Sequence, residues 1–137
     1  LEQDIKPTGF YHNKAKNIIA CTKALVERFH GEVPRSLEEL TSLAGVGRKT
    51  ANVIRGNIYH DASVVVDTHV KRISKRLGLT CSEDPEKIEQ DLMKELPEDH
   101  WILYNIQIIT FGRSVCTARS PKCGQCRLQK YCKEYKM

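Results

Sequence analysis

Residues 36–59 read SLEELTSLAGVGRKTANVIRGNIY, and the turn at their centre decides the architecture. Ser36 followed by Glu39 is a capping box, which opens a short helix with Leu37, Leu40 and Leu43 facing inward. Ala44-Gly45-Val46-Gly47 is too short to be a loop between unrelated elements and suits a tight hairpin. A second helix is predicted from Arg48 to about Tyr59, with Ala51, Ile54 and Ile58 on one side. Helix, hairpin and helix form the expected unit.

Working outward, KAKNIIACTKALVERF (14–29) places Ile18, Cys21, Thr22, Leu25 and Phe29 on one helical stripe, with Gly31 as its stop. On the other side, Val64-Val65-Val66 is strand-like in content but too short to justify a sheet. Asp67 stands where an N-cap would, ahead of the stripe Val70, Ile73 and Leu77, which ends at Gly78. Asp84-Pro85 starts a helix bearing Ile88, Leu92 and Leu96, with proline in its favoured first turn. HWILYNIQIITF (100–111) is apolar on most sides and reads as a buried helix, closed by Gly112. No repeat or convincing strand pattern occurs, so the expected class is all-α.

Composition narrows the function. A chain of 137 residues with 40% hydrophobic and 28% charged side chains can bury a core and is not a disordered sequence. The mean hydropathy is −0.46, and no apolar run reaches the roughly 18–20 residues of a membrane span. No apolar run behind a basic flank follows Leu1, so a soluble, intracellular protein with no membrane partner is expected. The net charge of +5 is unevenly spread. Residues 113–137 hold seven basic side chains and one acid, while residues 82–99 hold eight acids against Lys87 and Lys94. A concentrated basic end points to a polyanionic partner; a solvated basic tail is the plainer alternative.

Four of the six cysteines, Cys116, Cys123, Cys126 and Cys132, follow a C-x6-C-x2-C-x5-C spacing within 17 residues. Thiols packed this closely in an intracellular chain usually bind metal, with disulfides the less favoured reading. Four thiolates suit tetrahedral zinc or an iron–sulfur cluster, and the spacing leaves both open. Cys21 lies on an apolar stripe and reads as core, and Cys81 has no obvious partner.

The hairpin should present the amides of Gly45, Val46 and Gly47 at a helix N-terminus, an arrangement that holds phosphate without reading bases. A glycine turn between packed helices is the plain alternative, weakened by the adjacent Arg48 and Lys49. Most lysines are solvated surface charges. A deprotonated lysine amine, however, is a carbon nucleophile able to form a Schiff base. Asp67 can act both as a cap and as a catalytic carboxylate. Residues 59–66, if extended, span up to ~26 Å, enough to bring Asp67 back beside Lys49.

Three stretches, LAGVGRKTANV, VVVDTHVKRISKRLGL and the cysteine spacing, together resemble the endonuclease III family of helix-hairpin-helix DNA glycosylases, from about Gly9 to Cys132. The resemblance implies a two-lobed helical fold: residues 1–61 as a partial lobe carrying the hairpin, and 62–137 as a lobe whose loop 116–132 holds a [4Fe-4S] cluster. It implies Lys49 as nucleophile, Asp67 as catalytic aspartate, and Cys116, Cys123, Cys126 and Cys132 as cluster ligands. Gly45, Val46, Gly47, Arg48, Arg119 and Lys122 would contact the DNA backbone, and Phe10 stands where a wedging leucine is common. Family members often begin the hairpin turn with proline, where this chain has Ala44. They also carry several helices before the position of Leu1, which the first lobe is expected to need.

The implied activity is base excision: a bifunctional glycosylase and abasic-site lyase removing oxidised pyrimidines from double-stranded DNA, acting as a monomer. The implied setting is the cytoplasm or nucleoid of a prokaryote, or the nucleus or mitochondrion of a eukaryote. A monofunctional mismatch glycosylase resembles the chain less because it lacks the lysine. A non-catalytic DNA-binding module with a structural metal is the further alternative.

Overall fold

The computed structural model describes residues 1–135, and among them all regular structure is helical. The chain forms two compact units, the first ending at Tyr59 and the second beginning at His60.

The first unit opens with a single helical turn, α1 (Glu2–Ile5), and a short 3-10 turn, then enters α2 (Tyr11–Phe29). That helix starts three residues before the expected Lys14, immediately after a left-handed Phe10. It closes through His30, also left-handed, and the Gly31 amide bonded to Leu25 O at 2.9 Å. Only Ala15 is fully buried along it, and Ile18 on the expected stripe is exposed. The apolar arc of α2 is wider than the short helices of this unit cover.

Helix α3 (Leu37–Thr41) begins as the capping box predicts, with Ser36 Oγ accepting the Glu39 amide at 3.1 Å and donating to Glu39 Oε2 at 2.7 Å. Leu40 and Leu43 are buried. After the hairpin, α4 (Arg48–Asn57) buries Ala51, Asn52 and Gly56. It stops at Asn57, so Ile58 leaves the inner face and is exposed. The Tyr59 hydroxyl donates to Val33 O and ties the end of α4 to the segment following α2.

The second unit is built on α5 (Thr68–Leu77), α6 (Pro85–Glu95) and α7 (Trp101–Ser114). Asp67 caps α5 and Asp84 caps α6, each by accepting a backbone amide of the first turn. The core joins Val64, Val70, Ile73, Ile88, Leu92 and Ile108, with Trp101, Tyr104, Phe111 and Cys116 packed against it. Val64 joins it and Val66 packs against it from a segment without regular secondary structure.

Two expectations for α7 fail. The helix runs through Gly112 instead of ending there, and it is not buried all round: Leu103 and Ile106 are about half exposed, at 48% and 52%. Gly112 serves a close approach, since a Cβ there would sit 2.5 Å from His69 Nδ1 and 2.9 Å from Ile73 Cδ1. Removing the side chain lets α7 lie against α5. Among the described residues no helix is long and apolar enough to cross a membrane.

Candidate functional site

In the first unit the hairpin is a narrow turn. Gly45 takes φ +77°, which side chains rarely adopt, and a Cβ there would meet Asn17 Cβ at 3.0 Å. The Val46 amide donates to Leu43 O at 3.1 Å, so it serves the turn instead of facing outward as expected. Gly45 and Gly47 are exposed. Gly47 is the N-cap of α4 and offers no side chain, so the helix begins with bare backbone, the arrangement that favours an anion. Arg48 and Lys49 are the first two residues of α4; Arg48 is half-buried and Lys49 exposed.

Phe10 belongs to the same unit and is its most prominent side chain, 89% exposed at φ +49°. A large apolar ring in a left-handed conformation is held there against both solvent and backbone preference. The turn is fastened by Lys14, whose amide donates to Phe10 O at 3.1 Å and whose Nζ donates to Thr8 O at 2.8 Å.

In the second unit Asp67 is half-buried, and its Oδ1 accepts the Val70 amide at 2.8 Å. One carboxylate oxygen is thus committed to the cap, which fixes the side chain's direction and leaves Oδ2 for other work.

The four cysteines Cys116, Cys123, Cys126 and Cys132 are all half-buried and line one cavity of about 310 Å³. Its walls are mainly apolar, including Ile73, Leu77, Phe111 and Pro121. Among the described residues no three potential ligands converge closely enough to chelate a single ion. A cluster of several irons takes one thiolate per iron, so its four sulfurs stand apart around a larger space. A cavity of this size lined by four thiols fits an iron–sulfur cluster.

Two arginines absent from the sequence-based expectations hold this loop. Arg72 Nη2 donates to Cys116 O at 3.0 Å. Arg76 Nη1 donates to Cys116 Sγ at 3.3 Å and to Thr117 O at 2.9 Å. The hydrogen bond to Cys116 raises the pKa of the Arg76 guanidinium above its ordinary value; the Glu134 carboxylate adds to this and partial burial opposes it. The signal was legible in the helical wheel. At 100° per residue, Arg76 lies about 60° from Ile73 on α5, beside the apolar stripe, whereas Lys71 and Lys75 lie opposite it. Those lysines pair with Glu83 at the surface. Arg119 and Lys122 are exposed; Lys122 also reaches the rim of the cysteine cavity, and Arg119 does not line it.

Comparison with known proteins agrees on one family. Residues 1–98 match the model of the HhH-GPD superfamily of base excision DNA repair proteins, and residues 116–132 match the iron–sulfur binding domain of endonuclease III. Endonuclease III of Synechocystis sp. is 53% identical over 133 residues, covering 96% of this chain and 61% of that protein. Endonuclease III of Bacillus subtilis is 46% identical over 135 residues, covering 98% and 62%. The chain therefore spans about three fifths of the length of these relatives. Among solved structures, a trapped endonuclease III–DNA covalent intermediate superposes with a TM-score of 0.93 at 45% identity, over 98% of this chain and 64% of that one. A thermostable thymine-DNA glycosylase, at 23% identity and a TM-score of 0.83 over the same shares, is alike in fold.

Proposed function

The chain belongs to the HhH-GPD superfamily of base excision DNA repair proteins, and from that membership we propose that it acts as a bifunctional DNA N-glycosylase and abasic-site lyase on oxidised pyrimidines. The observation that carries the proposal is Lys49, exposed on the first turn of α4 behind the Gly45–Gly47 turn. A protein 45% identical to this chain is known as a trapped covalent intermediate with DNA, which calls for a nucleophile. A lysine amine supplies one.

In the proposed reaction the damaged nucleotide is extruded, because its sugar carbon is out of reach inside the stack. Phe10, strained and exposed, wedges the opened step. The Gly45 and Gly47 amides, the N-terminus of α4 and Arg48 hold backbone phosphates, with Arg119 and Lys122 adding contacts from the cysteine loop. Val46 shapes the turn that presents them. Lys49 Nζ attacks C1′ and the base departs with the glycosidic electron pair. Opening of the sugar ring gives an imine between Lys49 and C1′. Loss of a C2′ proton then expels the 3′ phosphate, which cuts the strand by β-elimination. Asp67 Oδ2 stabilises positive charge developing on the sugar and takes part in the proton transfers.

The cofactor is a [4Fe-4S] cluster. We assign its ligands to Cys116, Cys123, Cys126 and Cys132, and its contribution is to cross-link the loop that carries Arg119 and Lys122. We further propose that the protein works as a monomer on double-stranded DNA containing damaged pyrimidines or abasic sites, in the cytoplasm or nucleoid of a prokaryote, or the nucleus or mitochondrion of a eukaryote.

The test is a duplex carrying one thymine glycol, incubated with the full-length, iron-loaded protein. Release of the base together with strand cleavage 3′ to the lesion is expected, and Lys49→Gln should lose cleavage while still binding. Base release without cleavage would make the protein monofunctional. Binding with neither would overturn the enzyme reading.

A further inference from the structure

Arg76 grips the chain on both sides of the cysteine cavity. Its guanidinium donates to Cys116 Sγ at 3.3 Å, Thr117 O at 2.9 Å and Ala118 O at 3.3 Å. Its carbonyl accepts the Glu134 amide at 3.1 Å, and Glu134 Oε2 pairs with its Nε at 3.4 Å. The free Cys132 thiol also donates to that carbonyl at 3.3 Å. As a thiolate ligand Cys132 loses that proton, and the Glu134 amide keeps the carbonyl satisfied. One residue of α5 therefore contacts both the first and the last cysteine of the spacing. Its side chain is only 16% exposed, so the hydrogen bond to sulfur is made largely out of water, where it is stronger.

We propose that Arg76 is a positioning residue that sets the reduction potential of the cluster and its resistance to oxidative loss, through the N–H···S bond to Cys116. The inference rests on the four cysteines being the cluster ligands. A cationic donor at 3.3 Å stabilises negative charge on Cys116 Sγ. That charge is greater in the reduced cluster than in the oxidised one, so the bond favours the reduced form and raises the potential. Arg72 cannot substitute, because the Cys116 atom it reaches is the carbonyl oxygen. Lys71 and Lys75 are engaged with Glu83.

The experiment uses the iron-loaded, full-length protein. Iron and sulfide per chain are counted first, and wild-type protein without them would overturn the ligand assignment itself. At full iron, Arg76→Gln should show a lower reduction potential and should bleach with ferricyanide about tenfold faster. Arg76→Lys keeps the charge but cannot span sulfur and two carbonyls, so it should recover part of both. Solvent deuteration should shift an Fe–S stretching band of the wild type and leave that band unmoved in Arg76→Gln. A fully loaded Arg76→Gln protein with wild-type potential and bleaching rate would overturn the proposal. So would failure of both variants to hold iron, which would make Arg76 an assembly residue and not a tuning one. If only Arg76→Gln fails to load, a lowered potential in Arg76→Lys supports the proposal and an unchanged one overturns it.

Discussion

Asp67 spends one oxygen on the Val70 amide at 2.8 Å and keeps the other, so its substitutions separate two roles. Asparagine caps a helix about as well as aspartate, whereas alanine forfeits about 1 kcal/mol. Asp67→Asn should therefore melt close to wild type while releasing damaged base about 10²–10⁴-fold more slowly, the range expected for a lost catalytic carboxylate. Asp67→Ala should lose both stability and rate. A slow enzyme whose melting temperature falls equally in both variants would mean that the carboxylate is only a cap. The cap, the Ser36–Glu39 box and the Gly78 stop were legible because capping is chemistry between residues a few positions apart. Lys49 and Asp67 were legible as chemical types, and Cys116, Cys123, Cys126 and Cys132 through their spacing. For Arg76 only its place beside the apolar stripe was legible, and its role was not, because its partner Cys116 lies 40 positions along the chain.

Helices α5 and α7 and the loop that follows show how elements constrain function. A methyl group at Gly112 would press on His69 Nδ1 and Ile73 Cδ1, and relieving it means moving α7 off α5. Gly112→Ala gains about 1 kcal/mol of helix propensity but incurs an overpacking cost of about 1–3 kcal/mol. A net fall in thermal stability is expected, and a rise would show that the contact yields freely. Glycine looked like a stop because local propensity is blind to a neighbouring helix. The same blindness explains Leu103, Ile106 and Ile18: periodicity reports how wide an apolar arc is, but not what covers it. The cysteine loop carries Arg119 and Lys122 into solvent. Converting both to glutamine should weaken binding alike for many DNA sequences and reduce the slope of log K against log salt by about 2. An unchanged slope in the folded, iron-loaded double variant would remove the loop from the interface.

Over the whole molecule the charge pattern and the fold point the same way. The basic excess sits in residues 113–137 and the acidic excess in 82–99, so different segments of the second unit carry opposite character. A family match over residues 1–98 and an iron–sulfur match over 116–132 fall in both units of the chain. The all-helical class was readable because each helix carries its own start and stop signals. The reach of the apolar faces on α2 and α7 was not, because it depends on chain neighbours that no local pattern names. In the proposed reaction Lys49 is what separates a lyase from a glycosylase that only releases bases, and its chemistry would leave a mark that can be fixed. Borohydride reduces an imine between Lys49 and C1′ to a stable amine. With the full-length, iron-loaded protein and a duplex containing an abasic site, reduction should yield a covalent protein–DNA adduct whose peptide mass places the link on Lys49. The adduct should vanish in Lys49→Gln and persist in part in Asp67→Asn, since the amine remains. An adduct mapped to another residue, or none from protein that cleaves the strand, would contradict the account.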